Sequence, residues 1–114
     1  MGDPRGGADR MVAVLPAEID VTNAENTGDR LVKVAVSSPG TRVVVADLSA
    51  TRFCDSAGVR YLLLAHQRAA ASGVDIRLAA LREPVLRVLE LMGVDRLVRT
   101  YPTVYAALAE DVPR

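Results

Sequence analysis

Short apolar runs alternate along this chain with segments of helical spacing, and that alternation restricts the possible folds severely. Strand-like runs rich in β-branched residues occupy positions 11–15 and 42–46, and weaker ones occupy 76–80 and 97–100. Runs of this kind are typical of strands that are buried on both faces of a sheet. Because parallel neighbours require crossover connections, the pattern predicts an α/β fold with a largely parallel sheet.

The spacing of apolar residues between these runs predicts about four helices. The first follows Thr22, which has Glu25 three positions later in the arrangement of a capping box. The second spans residues 56–72, where apolar side chains recur on one face and Gly73 supplies a stop. Proline is a favoured first-turn residue, and it marks the starts of the third and fourth helices at Pro84 and Pro102.

Length and composition are those of one ordinary domain. The chain has 114 residues, of which 50% are hydrophobic, enough to bury a single core. Residues 1–10 contain three glycines, one proline and four charged residues without periodicity, so they are predicted to form a flexible tail. Residues 11–114 are then predicted to form the folded domain.

Charge balance and cysteine content argue against several classes of protein. The 14 basic and 14 acidic residues cancel, which leaves no net positive charge for binding nucleic acid or anionic membranes. Cys54 is the only cysteine and His66 the only histidine, so neither a disulfide framework nor a zinc site of usual spacing can be assembled. The charge balance leads us to expect a protein or small-molecule partner. No apolar run is long enough to cross a bilayer, so a cytoplasmic location is also expected.

Polar residues that could carry function follow two of the predicted strands. They lie in residues 18–22 and 47–58, and functional groups of open α/β sheets collect at the carboxyl ends of strands. Ser56 falls at the N-cap or first turn of the second helix, where free N–H groups and the helix dipole favour an anion. Gly58 has no side chain, so a partner's backbone or a phosphate is expected to approach it closely.

Simpler structural roles exist for the same residues. From the local pattern alone, Ser56 is most simply an N-cap serine, while Asp20 and Asp55 are surface or turn-stabilising carboxylates. Cys54 is predicted to be an inert thiol in the core, because Arg52 is the only basic residue close to it in the sequence. Met92 and the leucines around it are also predicted to pack in the core.

No catalytic arrangement emerges from the sequence. His66 lies ten residues after Ser56, about 15 Å along a helix, so a Ser-His-Asp arrangement has no base. The chain has neither a phosphate-binding loop of the Walker type nor a dinucleotide fingerprint after a strand. The protein is therefore predicted not to be an enzyme and to need no cofactor.

Several segments together resemble the signature of STAS domains. The central match is residues 47–49 (DLS) followed by 53–59 (FCDSAGV), supported by residues 15–20 (LPAEID) and 88–95 (VLELMGVD). The resemblance extends from residue 11 to about residue 110. Two features depart from the family pattern: Ala17 stands where glycine is usual, and an opening strand ahead of Met11 is missing or very short.

The resemblance implies a STAS fold, with a four- or five-stranded, mostly parallel sheet and about four helices. In the anti-sigma factor antagonists of that family, an anti-sigma factor that is also a serine protein kinase phosphorylates the serine matching Ser56. A phosphoserine phosphatase is the expected second partner, and the kinase supplies ATP and Mg²⁺. The surface expected to bind the partner comprises Asp20, Thr22, Asp55, Ser56, Ala57, Gly58 and Arg60.

Two other functions remain open at this point. One is a STAS module that is never phosphorylated and serves as a structural subunit of a stress-signalling or lipid-transport assembly. The other is a phospho-aspartate receiver or a small nucleotide-binding enzyme on a doubly wound fold. A receiver needs a lysine after a late strand, and Lys33, the only lysine, comes too early.

Overall fold

Six strands and four helices form the protein in a computed structural model that describes residues 9–112. The strands are β1 (Arg10–Val14), β2 (Glu18–Ile19), β3 (Val43–Asp47), β4 (Phe53–Cys54), β5 (Asp75–Ala79) and β6 (Thr100–Tyr101). The helices are α1 (Ala24–Ser37), α2 (Ser56–Ala71), α3 (Glu83–Leu91) and α4 (Val104–Ala109). Strands and helices alternate as the apolar pattern predicts.

The main sheet has four parallel strands in the order β1-β3-β5-β6. Strands β2 and β4 pair separately as a short parallel ribbon, which sequence periodicity did not indicate because each strand has only two residues. Each crossover between parallel neighbours contains a helix, as the geometry of parallel pairing requires. The predicted α/β class with a mostly parallel sheet is confirmed.

Strand β3 lies at the centre of the core. Val44 and Ala46 pack on the side of α1, α2 and α3, whereas Val43 and Val45 pack on the opposite side against α4. All four side chains are fully buried. A strand covered on both faces has no polar face, which explains why β3 appears in the sequence as a continuous apolar run.

The start of the folded region lies earlier than predicted. Arg10 belongs to β1, and the Asp9 carbonyl accepts a hydrogen bond from the Val43 amide. The Arg10 guanidinium also donates to the Leu108 and Glu110 carbonyls. The rest of the predicted tail, residues 1–8, lies outside the described residues, as would any further strand ahead of β1.

The last predicted strand is misplaced by several residues. Val94–Arg96 form a short 3₁₀ helix, and the Leu97 and Val98 amides continue this turn by donating to the Val94 carbonyl. Strand β6 therefore begins only at Thr100. The periodicity of a short apolar run does not distinguish a strand from a helical turn.

Met92 and its neighbouring leucine do not belong to the core. Helix α3 ends at Leu91, which is 82% exposed, and Met92 caps the helix with 40% exposure. The prediction that Met92 and the leucines around it pack in the core is wrong for Met92 and Leu91, but it holds for Leu89, which is fully buried. Their apolar stripe ends with the helix, because Gly93 then adopts a left-handed conformation that redirects the chain.

A fully buried arginine joins β5 to the end of α4. The Arg77 Nε atom lies 2.8 Å from the Asp75 carboxylate. Its two Nη atoms donate to three carbonyls at the end of α4 and just after it, those of Ala107, Glu110 and Asp111, at 2.7–2.9 Å. Since the last carbonyls of a helix have no partner within it, Arg77 satisfies groups that would otherwise be buried without one.

Arg77→Met should therefore destabilise the protein by about 3 to 5 kcal/mol, because Asp75 and the α4 carbonyls lose their buried partner. Arg87→Met is the matched control: Arg87 is an exposed residue of α3, where surface substitutions change stability by roughly 0.5 kcal/mol or less. Urea unfolding followed by circular dichroism measures both. Equal midpoints for the two variants would contradict the structural role given to Arg77.

Candidate functional site

The β2–β4 ribbon brings the two polar segments together at one edge of the protein. Glu18 pairs with Phe53 and Ile19 with Cys54, and the Asp55 amide donates to the Ile19 carbonyl at 3.1 Å. The chain leaves β2 for α1 and leaves β4 for α2. The segments that contain Asp20 and Ser56 therefore lie side by side, as their positions after two strands predicted.

Asp55, and not Ser56, is the N-cap of α2. Its carboxylate accepts a hydrogen bond from the Gly58 amide at 2.8 Å, and Ser56 is the first residue of the helix. Ser56 is exposed, whereas Asp55 is half-buried. The simple interpretation of Ser56 as a capping serine is therefore wrong, and its hydroxyl is not needed to satisfy the helix end.

Gly58 is a packing residue. A Cβ atom at this position would lie 2.6 Å from the Cys54 Sγ atom, 2.9 Å from Ile19 Cγ2 and 3.1 Å from the Ile19 carbonyl oxygen. The residue is buried, so the prediction that it leaves open space for a partner is wrong. Its missing side chain instead allows the first turn of α2 to lie directly on β2 and β4.

Asp20 organises the neighbouring loop. Its carboxylate accepts hydrogen bonds from the Thr22 amide at 2.9 Å and from the Thr22 hydroxyl. These bonds, that of the hydroxyl first, lower the pKa of Asp20 below its ordinary value. The predicted capping box of Thr22 and Glu25 is not formed, because α1 begins only at Ala24 and the Thr22 hydroxyl already donates to Asp20.

Cys54 and His66 have the structural roles expected of them. Burial raises the pKa of the Cys54 thiol to about 12, with a further contribution from the Asp55 charge, so the thiolate is strongly disfavoured. The assignment of Cys54 to the core is confirmed. The His66 Nε2 atom lies 4.0 Å from the Asp75 carboxylate, at the start of β5 and away from Ser56.

The exposed rim around Ser56 combines charged and apolar side chains. Arg60 lies one turn further along α2 and is exposed, while Ala57 is half-buried and packs against the core. Val21 and Phe53 were not recognised in the sequence, yet they are 76% and 50% exposed beside the two polar segments. The available signal was Val21 itself, an apolar residue between two polar loop residues.

The site contains no arrangement of metal ligands. Within residues 9–112, no three histidine, cysteine, aspartate or glutamate side chains cluster closely enough to hold a metal ion. The same residues include no helix long and apolar enough to cross a membrane. The groups that this edge of the protein presents are the Ser56 hydroxyl, two carboxylates, one arginine and two apolar side chains, namely those of Asp20, Asp55, Arg60, Val21 and Phe53.

The sequence profile of the STAS domain family matches residues 5–107. This chain belongs to the STAS domain family. The fold supports that assignment, since it resembles solved STAS domains over most of their length.

Solved structures similar to this STAS domain include two kinds of protein. An anti-sigma factor antagonist from Mycobacterium paratuberculosis is 26% identical, with a TM-score of 0.75 over 90% of this chain and 86% of that one. The anti-sigma factor antagonist SpoIIAA in its unphosphorylated form is 17% identical, with a TM-score of 0.66 over 82% and 81%. The STAS domain of a SulP transporter from Vibrio cholerae is 20% identical, with a TM-score of 0.73 over 90% and 80%. The last two structures are less than 25% identical to this chain, so they show a similarity of fold alone.

Gly58→Ala should destabilise the domain by about 1 to 3 kcal/mol, because the added methyl group overpacks the contact with Cys54 and Ile19. Gly40→Ala is the matched control, since a Cβ there meets nothing within 4 Å and no strained backbone angle is involved. Thermal melts of both variants measure the difference. A Gly58→Ala protein as stable as Gly40→Ala would show that the helix start can move freely.

Asp55→Ala should lower stability by about 0.5 to 2 kcal/mol through loss of the cap, whereas Ser56→Ala should leave it nearly unchanged. The two residues are adjacent and the substitution is the same at both, so each variant serves as the control for the other. Urea unfolding gives the two values. If Ser56→Ala proved the more damaging change, the cap would have been assigned to the wrong residue.

Proposed function

We propose that this STAS domain is an anti-sigma factor antagonist whose binding to an anti-sigma factor is switched off by phosphorylation of Ser56. The observation that carries the proposal is the exposed Ser56 hydroxyl on the first residue of α2, beside a cap that belongs to Asp55. The same function is supported by the similarity of this chain to an anti-sigma factor antagonist that is 26% identical over most of both chains.

The position of Ser56 suits a switch that acts on the surface and leaves the fold intact. Asp55 caps α2, so a modified Ser56 does not remove the hydrogen bond that holds the helix start. A phosphate there adds about −1.5 to −2 charges at pH 7. The carboxylates of Asp20 and Asp55 lie in the adjoining loops, so the phosphate adds to two negative charges there and disfavours a partner shaped for a neutral hydroxyl.

The partner in this proposal is an anti-sigma factor of the serine protein kinase type. The unmodified domain binds it and frees a sigma factor; the kinase, with its own ATP and Mg²⁺, then modifies Ser56, and a phosphoserine phosphatase restores binding. The domain itself performs no catalysis and acts in the cytoplasm. Neither nucleic acid nor a membrane is its direct partner in this scheme.

Apolar side chains extend the proposed contact surface beyond the polar residues. Val21 and Phe53 are both exposed; Val21 follows Asp20 directly, and Phe53 lies in β4, three residues before Ser56. Buried aromatic anchors contribute heavily to protein interfaces. In this proposal Asp20, Thr22, Ala57 and Arg60 complete the surface around them, while Gly58 acts beneath it by setting the position of α2.

A second candidate is a STAS domain that binds a protein partner without being phosphorylated, as part of a stress-signalling or transport assembly. The likeness of its fold to the STAS domain of a SulP transporter keeps this candidate open. The two differ in one consequence: only the first requires that a charge at position 56 change partner binding.

The proposal is tested with Ser56→Asp and the uncharged Ser56→Asn, using the cognate anti-sigma kinase and titration calorimetry. Ser56→Asp should weaken binding at least about tenfold, because a rim charge is placed against an interface suited to a hydroxyl, whereas Ser56→Asn should bind nearly as wild type. Both variants should melt close to wild type, since Asp55 keeps the cap.

The same kinase with ATP should label the wild-type protein once, on Ser56. Ser49→Ala is the control, because Ser49 is exposed on the neighbouring loop and its loss should leave labelling unchanged. Label on Ser49, or equal affinity of Ser56→Asp and Ser56→Asn, would sink the phosphorylation switch and favour the second candidate.

A further inference from the structure

A single solvent-facing stripe of α2 begins at Ser56. Residues 56, 60 and 64 are all exposed and recur at intervals of four, while the opposite face buries Val59, Leu62 and Ala65 in the core. Residues four apart on a helix surface are neighbours, with Cβ atoms roughly 5 to 6 Å apart. Ser56 and Arg60 are therefore adjacent on the surface.

The direction of side chains on a helix brings Arg60 over Ser56. Each Cα–Cβ bond tilts toward the helix N-terminus, so a long side chain covers the turn that precedes its own Cα atom. For Arg60 that turn is the one that begins with Ser56. The favourable order of an i, i+4 ion pair, with the anion N-terminal to the cation, is also the order found here.

Arg60 differs from other arginines on this side of the protein. Arg52 pairs with Glu18 at 3.6 Å, and Arg68, about two turns after Arg60 on α2, pairs with Asp29 at 3.0 Å. Within residues 9–112, Arg60 forms neither an ion pair nor a side-chain hydrogen bond. Its guanidinium is therefore available to a new anion without breaking an existing contact.

We propose that Arg60 is the intramolecular partner of the phosphate on Ser56, and that phosphorylation thereby changes two groups of the partner surface. The inference rests on the proposed function for the modification itself. A guanidinium binds phosphate oxygens through parallel hydrogen bonds, which a lysine ammonium cannot reproduce. Phosphorylation then adds an anion and also withdraws the Arg60 cation from contact with the anti-sigma factor.

A double-mutant cycle tests this pair without any kinase. Phosphoserine is introduced at position 56 during translation, so the result does not depend on whether a kinase recognises the protein. Melting temperatures are measured for wild type, Arg60→Gln, Arg60→Lys and Arg68→Gln, each with serine and with phosphoserine. Arg68→Gln is the matched control, because it removes the same charge from the same helix at a position about 18 Å from Ser56 along the helix axis.

The change in melting temperature caused by phosphoserine should be less favourable in Arg60→Gln than in wild type by roughly 2 to 6 °C. Arg60→Lys should recover part of that difference and Arg68→Gln should match wild type. In ¹⁵N-labelled protein, the Arg60 Nε–H resonance should move downfield when position 56 carries phosphoserine.

Equal effects of phosphoserine in wild type and Arg60→Gln would overturn the pairing. The pairing would also be overturned if Arg68→Gln reduced the effect of phosphoserine on the melting temperature as much as Arg60→Gln does. That result would show a general effect of net charge. Neither result bears on whether a kinase modifies Ser56 or whether the anti-sigma factor binds, so failure of this inference is distinguishable from failure of the proposed function.

Discussion

Burial of β3 on both faces and along both edges is the constraint from which the rest of the structure follows. Its backbone groups pair with β1 on one side and β5 on the other, and its side chains need cover above and below. Parallel pairing requires crossovers, and these place α1, α2 and α3 on one face, which leaves α4 to cover the other. The same geometry starts α1 and α2 at one edge, where the candidate site lies.

The weakest part of this arrangement is the face covered by α4. That helix has six residues, too few to be stable without tertiary contacts. Arginines from two strands compensate, since Arg10 and Arg77 both donate to carbonyls at its end. Glu110, which follows the helix, adds a further contact, because its carboxylate accepts hydrogen bonds from the Tyr101 hydroxyl and the Arg99 guanidinium. These bonds, that of Tyr101 first, lower the pKa of Glu110.

The site separates a rigid base from a changeable surface. Gly58 holds the first turn of α2 against Ile19 and Cys54, and Asp55 satisfies the helix end. Ser56 and Arg60 are exposed and take no part in these contacts. Because the cap belongs to Asp55, a change at Ser56 leaves the hydrogen bond to the Gly58 amide in place.

The alternation of apolar runs with helical spacing was sufficient to predict the α/β class, the extent of α2 and the proximity of the segments that contain Asp20 and Ser56. Those features depend on periodicity and on the geometry of parallel strands, which are local or general properties. Tertiary structure alone decided which residue caps α2, because Asp and Ser are equally good caps and only the backbone path chooses between them. It also decided the role of Gly58: space beside a glycine depends on what the fold packs against it, and here Cys54 and Ile19 fill that space.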